Sequence, residues 1–445
     1  MALLQHVGSA RPMLSDALIV AAGNVAVKGA GLLKLIVAAH LFGTSDAQDA
    51  YLAAFLLPAV LGDIFAATAA PSLIPAMLRL RAAGLEREAA DLSREALFAS
   101  VTLMFVLAAL LALASPLIFV LLASGFDPAK TALARTLLYM LLPLLPLAGC
   151  NVIWRAILHT HRRFALAAVA PAITPFITLA ILLAGAPHWG IYALAIGTIT
   201  GGFAETTLLA FAVQRLNYSI RPAWITGGPR MAEVLVQFAP LLASSLLLGG
   251  SPLIDNAMAA GLEAGSVSVF NFGSKLATVI STIGPAAVGT AALPHLSGMA
   301  ARGEWQTMRR NLMSFATLII AAAIPLTALL IAFSEPLVRL VFEKGAFTAS
   351  STHAVAVVQS YSLLQAPFAV LIALGFRLTA SLRANNLLPP VAAVGLGVTA
   401  AGDFLLRQVL GVAGIALTAT FSQIAMILTL AVLLARRIRR GGGPR

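Results

Sequence analysis

Three lysines within long apolar segments are the residues of this sequence best suited to binding chemistry. Lys28 and Lys34 lie in the apolar stretch 18–42, and Lys275 lies in the stretch 267–293. Lysine is rare here, since it supplies only five of the 29 basic residues. A cation at mid-bilayer depth costs about 2.5–3.5 kcal/mol and usually faces a water-filled cavity. The three lysines therefore predict a cavity that binds an anion.

The spacing of the first two lysines predicts a binding stripe along one helix. Six residues separate Lys28 from Lys34, which places them about 120° apart around a helix and about 9 Å apart along it. Gly31 lies between them, and Asn24 shares the face of Lys28. Lysine offers a compact charge with three donors, which suits a pyrophosphate. An alternative for Lys34 is that it extends its amine to the membrane surface.

Four acidic residues also fall within apolar segments. Asp63 either neutralises a cavity lysine or binds a proton or Na⁺. Glu205 is an ion-coupling candidate or a hydrogen-bonding group between helices, and Asp255 is an ion-coupling candidate or a hydrated group near a helix end. Asp403 has Arg407 four residues later, which predicts an ordinary ion pair along one helix.

Composition excludes a soluble globular protein. The chain is 60% hydrophobic and 10% charged, with a mean hydropathy of +0.94, whereas ordinary domains carry about 25% charged residues. The net charge of +12 does not predict a nucleic-acid partner, because the arginines lie in short loops at alternate ends of apolar segments. The N-terminal segment lacks the pattern of a cleaved signal peptide.

Catalytic patterns are missing from the sequence. The single Cys150 excludes a disulfide within the chain. The seven histidines show no metal-ligand spacing, and neither a nucleophile–base pair nor a phosphate-binding loop occurs. We therefore predict a transporter without enzymatic activity, metal or cofactor.

Apolar segments of membrane-spanning length predict an all-α, polytopic integral membrane protein with twelve transmembrane helices. Twenty arginines lie on one side of these segments against five cations on the other, so we predict that both termini are cytoplasmic. Prolines are predicted to interrupt spans two, four, five and ten. The predicted spans are 16–42, 48–76, 96–124, 131–158, 164–186, 190–215, 232–259, 265–294, 311–342, 352–379, 388–407 and 411–435.

An internal repeat relates the two halves of the chain. Four short motifs recur in order at offsets of 219 to 222 residues. One pairs Leu-Ile-Pro-Ala at 73–76 with Ala-Leu-Pro-His at 292–295. Six spans per half give both halves the same orientation. We expect two parallel six-helix lobes, 1–225 and 226–445, that move against each other around a central cavity.

Several motifs resemble the MurJ (MviN) flippase family of the MOP exporter superfamily. They run over nearly the whole chain, and the sharpest is Lys-Gly-Ala-Phe-Thr-Ala at 344–349. Others are Lys-Gly-Ala-Gly-Leu-Leu-Lys at 28–34, Asp-Ala-Tyr-Leu-Ala-Ala-Phe at 49–55, Gly-Ser-Val-Ser-Val at 265–269, Ala-Leu-Pro-His-Leu-Ser at 292–297 and Ser-Glu-Pro-Leu-Val-Arg at 334–339.

The resemblance implies a multi-pass flippase for lipid II, an undecaprenyl-pyrophosphate-linked glycopeptide, that contacts the membrane lipids of the bacterial inner membrane. It places the cavity cations of the family on Lys28, Lys34 and Lys275, and adds Asp49 at the start of the second helix as a site residue. Leu35 stands where the family has an acid, and the helix-2 cation falls on Gly62 or Asp63. The family usually has two further spans that line a groove for the lipid tail.

Three alternatives follow from these departures. Within the same fold, the substrate could be another lipid-linked oligosaccharide used for surface polysaccharide. A multidrug exporter coupled to a monovalent cation or to membrane potential would need acids in its cavity, which the buried lysines oppose. A scaffold for a glycan-synthesis complex would not need those lysines at all.

Overall fold

A computed structural model describes residues 2–224, 229–275, 277–278, 305–381 and 384–439. Within these ranges the chain is helical and has no strand. The long helices follow from long apolar stretches, in which a helix satisfies every backbone polar group internally.

Sixteen α-helices occur in the described residues, with short 3₁₀ turns at Ala170–Ala172 and Asn385–Leu387. In chain order they are α1 (Ala2–Phe42), α2 (Asp46–Ala82), α3 (Glu86–Leu122), α4 (Pro128–Leu141), α5 (Leu144–Thr160), α6 (Phe164–Val169), α7 (Ile173–Trp189), α8 (Tyr192–Gln214), α9 (Pro229–Ala260), α10 (266–275), α11 (Trp305–Ala332), α12 (Ser334–Phe342), α13 (Ala349–Leu363), α14 (Ala366–Ser381), α15 (Leu388–Leu410) and α16 (Val412–Arg439).

Ten or eleven of the twelve predicted spans are present in the described part of the chain. Ten segments are long and apolar enough to cross a membrane, and the bent pair Ala316–Ala332 and Ser334–Phe342 makes an eleventh. The remaining predicted span, 265–294, lies largely outside the described residues, as does the repeat motif at 292–295. The all-α membrane fold is confirmed, while the count of twelve stays a prediction.

Prolines interrupt some predicted spans and not others. The fourth span breaks before α5 at Pro143, and the fifth passes through the 3₁₀ turn that contains Pro171. In contrast, α2 continues through its three prolines, so the predicted interruption there is wrong. A bend of 59° between α11 and α12 was not predicted. Pro336 explains it, because its ring would clash with the carbonyl of Ala332 in a continuous helix.

Backbone contacts divide the chain into two compact units. The first unit comprises 1–42, 53–120 and 128–245. The second unit comprises 43–52, 121–127 and 246–445. The lobes 1–225 and 226–445 stay a prediction, because this division exchanges short segments between the two halves of the sequence.

The first unit has an apolar core around Trp154, Met77 and Leu209. Helices α7 and α8 approach closely in this unit because α8 presents glycine where it meets α7. A Cβ atom on Gly201 would lie 2.6 Å from the carbonyl oxygen of Thr174. Small residues at such contacts allow membrane helices to pack backbone against backbone.

The second unit has its own core, in which Phe270 packs with Val358 and Ile415. The short segments 43–52 and 121–127 contribute Leu52 and Phe126 to this cluster. Three further phenylalanines form an aromatic group with ring centroids 5.4 to 5.7 Å apart, namely Phe272, Phe342 and Phe347.

Candidate functional site

The predicted lysine stripe lies on an open face of α1 in the first unit. Lys28 and Asn24 are exposed, and Lys34 is half-buried. A Cβ atom added to Gly31 would meet no heavy atom within 4 Å, so the backbone between the lysines is accessible. All four residues belong to the apolar segment Ala22–Phe42. The helix therefore presents two amines and a small-residue gap at membrane depth.

The second helix positions Lys34. Its Nζ atom lies 5.3 Å from the ring centroid of Phe55 on α2. The negative face of an aromatic ring attracts an ammonium group and can hold it without neutralising its charge. This contact places the amine of Lys34 beside α2. Asp63, further along α2, is exposed.

Lys275 lies in the second unit, at the end of the described part of α10, and is exposed. The same helix buries Phe272 completely. Its membership of one binding site with Lys28 and Lys34 stays a prediction.

Asp49 has a structural role that the sequence did not predict. Its Oδ2 accepts the backbone N–H of Gly265 at 2.9 Å, and its Oδ1 accepts the N–H of Ser268 at 2.8 Å. The hydroxyl of Ser268 donates to the same Oδ1. Asp49 is only 1% exposed. A carboxylate at a helix N-terminus satisfies unpaired N–H groups and favours the helix dipole. The structure thus gives Asp49 a helix-capping contact, and its contact with the substrate stays a prediction.

Glu205 is a hydrogen-bonding group between helices of the first unit. It is 7% exposed and accepts a hydrogen bond of 2.9 Å from the Thr174 hydroxyl of α7. Arg155 on α5 lies close enough to interact with its charge. Buried carboxylates require such compensation. This geometry favours the structural alternative for Glu205 over ion coupling.

Asp255 and Asp403 bring two carboxyl groups together within the second unit. Asp403 on α15 is completely buried, and its carboxyl lies within interaction range of the carboxyl of Asp255 on α9 and the hydroxyl of Thr418 on α16. Neither oxygen of Asp403 forms a hydrogen bond of good geometry. Asp403 is buried and Asp255 is half-buried, and two carboxylates this close repel each other unless one takes up a proton or both share a cation.

The expected close ion pair of Asp403 with Arg407 does not form, although the charge of Arg407 still acts on Asp403. Among the described residues, the ion pairs within 4 Å do not include these two side chains. The guanidinium of Arg407 instead lies 5.5 Å from the ring centroid of Phe404. Asp403 is completely buried, whereas Arg407, in the last turn of the same helix, is half-buried. The neighbours of Asp403 could not be predicted from the sequence because they come from two other helices.

No group of three or more histidine, cysteine, aspartate or glutamate side chains that could hold a metal occurs in the described ranges. The carboxyl pair supplies two acidic ligands and one neighbouring hydroxyl. Such a set suits a proton or a hard monovalent cation better than a transition metal, which prefers nitrogen and sulfur ligands.

Comparisons of the sequence with known proteins all indicate the same family. The sequence model of the lipid II flippase MurJ matches residues 38–443. A probable lipid II flippase MurJ of Rhizobium meliloti is 28% identical over 337 residues, which cover 72% of this chain and 62% of that protein. This chain therefore spans less than two thirds of the length of this curated relative.

Solved structures agree in fold. The inward closed conformation of a lipid II flippase MurJ superposes with a TM-score of 0.80 at 19% identity, covering 94% of this chain and 87% of the other. An inward-facing multidrug resistance MATE transporter of the MOP superfamily gives a TM-score of 0.76 at 13% identity, with 96% and 100% covered. At these identities the likeness concerns the fold alone.

Proposed function

Because this chain belongs to the lipid II flippase MurJ family, we propose that it moves a polyprenyl-pyrophosphate-linked saccharide across the bacterial inner membrane. Lipid II is the first candidate substrate. The observation that carries the proposal is the accessible stripe of Lys28, Gly31 and Lys34 within an apolar segment. Two cations at this depth cost about 2.5–3.5 kcal/mol each, and an anionic substrate offsets that cost.

The pyrophosphate of such a substrate fits this stripe. Two ammonium groups supply charge and donors on either side of a glycine gap, which allows a bulky anion to approach the backbone. Asn24 adds a neutral donor and acceptor on the face of Lys28. The prediction that Lys275 also contacts the substrate is retained in this proposal. In this proposal the chain carries out alternating access, with both termini cytoplasmic and twelve spans.

Sugar selectivity is expected to be low. Leu35 stands where the family carries an acid, and Gly62 or Asp63 stands where it carries a cation, so the charges beside the lysines differ from the family pattern. Binding would then depend mainly on the pyrophosphate. Asp63 would moderate the positive charge of the stripe. Another lipid-linked oligosaccharide remains the second candidate substrate within the same mechanism.

The test compares binding and transport in matched lysine variants. Lys28→Ala/Lys34→Ala should lose complementation of a flippase-deficient strain at normal abundance, because the pyrophosphate loses both charges. Lys344→Ala is the control, since Lys344 is an exposed lysine outside the membrane segments. Native mass spectrometry should show lipid II and a second polyprenyl-pyrophosphate glycan binding within about tenfold of each other, or about 1.4 kcal/mol. A polyprenyl monophosphate should bind more weakly.

Three results would contradict this proposal. Full activity of the double lysine variant would show that Lys28 and Lys34 do not form an anion-binding site. Binding of lipid II alone would refute the low sugar selectivity and leave a strict lipid II flippase. Binding of small organic cations alone would favour the exporter class, with which the chain shares its fold.

We also propose that the carboxyl pair of Asp255 and Asp403 couples transport to a proton or Na⁺. The support is the convergence of two acids and Thr418 from three helices within one unit. A cation bound only by the folded state adds about 2.7 kcal/mol of stability at a hundredfold excess over its dissociation constant. NaCl should therefore raise the melting temperature of the wild type relative to choline chloride.

Asp403→Asn should abolish that salt-specific stabilisation. Glu205→Gln is the comparison variant, because Glu205 is a buried intramembrane acid that already has a hydrogen-bond donor. Stabilisation by acid instead of Na⁺ would identify a proton as the bound ion. Equal stabilisation of wild type and Asp403→Asn by Na⁺ would refute an ion site at this pair.

A further inference from the structure

A second cationic cavity lies in the first unit, away from the lysine stripe. It encloses about 560 Å³ between the end of α5, the short helix α6 and the end of α8. That volume falls in the range of about 300–1,000 Å³ typical of small-molecule sites. Its charged lining residues are Arg162, Arg163 and Arg215, and its apolar surface includes Phe164, Leu208 and Phe211.

In the described part of the chain, no acid forms an ion pair within 4 Å with the arginines of this cavity, Arg162, Arg163 and Arg215. Arg215 lies over the ring of Phe211, with its guanidinium carbon 4.4 Å from the centroid. Stacking orients the guanidinium fork and leaves its charge and donors available to a ligand.

The cavity lies at the level of a membrane surface. Three membrane segments end or begin beside it, at Thr160, Phe164 and Gln214. The arginines therefore occupy the polar boundary, while the phenylalanines and leucines continue into the apolar layer. The distribution of arginine along the chain predicts that this boundary is cytoplasmic.

We propose that this cavity binds the headgroup phosphate of an anionic phospholipid. The arginines contact the phosphate, and the acyl chains lie along the apolar surface of α6 and α8. A ligand with an anionic head and apolar tails matches both halves of the lining, whereas free inorganic phosphate would match only the arginines. Basic pockets between membrane helices bind anionic headgroups in this way. The site does not depend on the proposed substrate.

Native mass spectrometry of the full chain in mixed micelles tests the site. The probes are phosphatidylglycerol and phosphatidylcholine with identical acyl chains. The wild type should retain phosphatidylglycerol at least about tenfold more strongly than phosphatidylcholine, a difference of about 1.4 kcal/mol. Arg163→Gln/Arg215→Gln should lose this preference.

Two further variants separate the cavity from general charge effects. Arg87→Gln/Arg221→Gln removes two exposed arginines from the same predicted side without touching the cavity, and it should keep the preference. Ala212→Phe fills the cavity while it leaves all three arginines in place, and it should weaken phosphatidylglycerol binding.

Each contrary result overturns the proposal. Equal retention of both lipids by the wild type would show that the cavity does not select an anionic headgroup. Equal losses in the two double variants would show that only net charge matters. Displacement of phosphatidylglycerol by inorganic pyrophosphate at equal concentration would show that the acyl chains contribute nothing.

Discussion

Replacement of Asp49 tests how the segment 43–52 is held within the second unit. Asp49→Ala removes three hydrogen bonds to Gly265 and Ser268 and leaves their backbone N–H groups without this acceptor. A hydrogen bond to a charged group contributes about 1.5–3 kcal/mol, and the losses are not additive. We expect a total loss of about 3–5 kcal/mol on that basis.

Ser268→Ala provides an internal scale for this loss. It removes the hydroxyl donor but keeps both backbone contacts to Asp49, so we expect about 1–2 kcal/mol. Each kcal/mol shifts the melting temperature of a unit of this size by about 2–4 °C. Asp49→Ala should therefore melt about 10 °C below the wild type, and Ser268→Ala about 4 °C below it.

Thermal unfolding of the purified chain in detergent, followed by circular dichroism, measures these shifts. Asp46→Ala is the matched control, because Asp46 is an exposed acid in the same first turn of α2. The melting temperature of Asp49→Asn should lie between those of the wild type and Asp49→Ala. Its amide oxygen still accepts one hydrogen bond, while its NH₂ group faces another donor. A melting temperature for Asp49→Ala equal to that of Asp46→Ala would refute the capping role.

Three other predictions concern packing, pH and topology. Gly201→Ala should lower the melting temperature, because its Cβ would meet the backbone of Thr174 at 2.6 Å, whereas Gly31→Ala should not, because its Cβ meets open space; equal effects would contradict this packing. Burial, and then the charge of Arg81, lowers the pKa of His161, so the unfolded state binds more protons and stability should fall as pH drops below about 6.5. His161→Gln should flatten that fall between pH 7.5 and 5, and an unchanged slope would contradict it. In a Cys150→Ala background, a cysteine at Gly345 should react with an impermeant reagent from outside and one at Leu85 should not; the reverse pattern would invert the predicted topology.

Hydrophobic segments could be predicted from the sequence because membrane thickness fixes their length. Helix continuity was harder to predict. Proline interrupts a span at Pro143 and bends one before Pro336, yet α2 continues through Pro58, Pro71 and Pro75. The local sequence cannot separate these cases, since the effect of a proline depends on whether neighbouring groups satisfy the freed carbonyl.

The lysine stripe could be predicted from the sequence, whereas the contacts of the acids could not. Lys28, Gly31 and Lys34 lie on one helix, so the helical period alone predicts their arrangement. Asp49 bonds to residues 216 and 219 positions away, which no local pattern indicates. For Asp403, the spacing rule selected Arg407, but complete burial directs its carboxyl towards Asp255 and Thr418.

The distribution of charge within the first unit separates a flippase for an anionic lipid from an exporter of organic cations. A cation exporter requires accessible acids and masked basic groups. In the first unit Lys28 is exposed, while Glu205 is buried against Thr174. Asp63 is an exposed acid within a membrane segment of that unit and would oppose this assignment, but Lys28 and Lys34 outnumber it. Since desolvating a cation is costly unless an anion accompanies it, this stripe favours a substrate that brings its own negative charge.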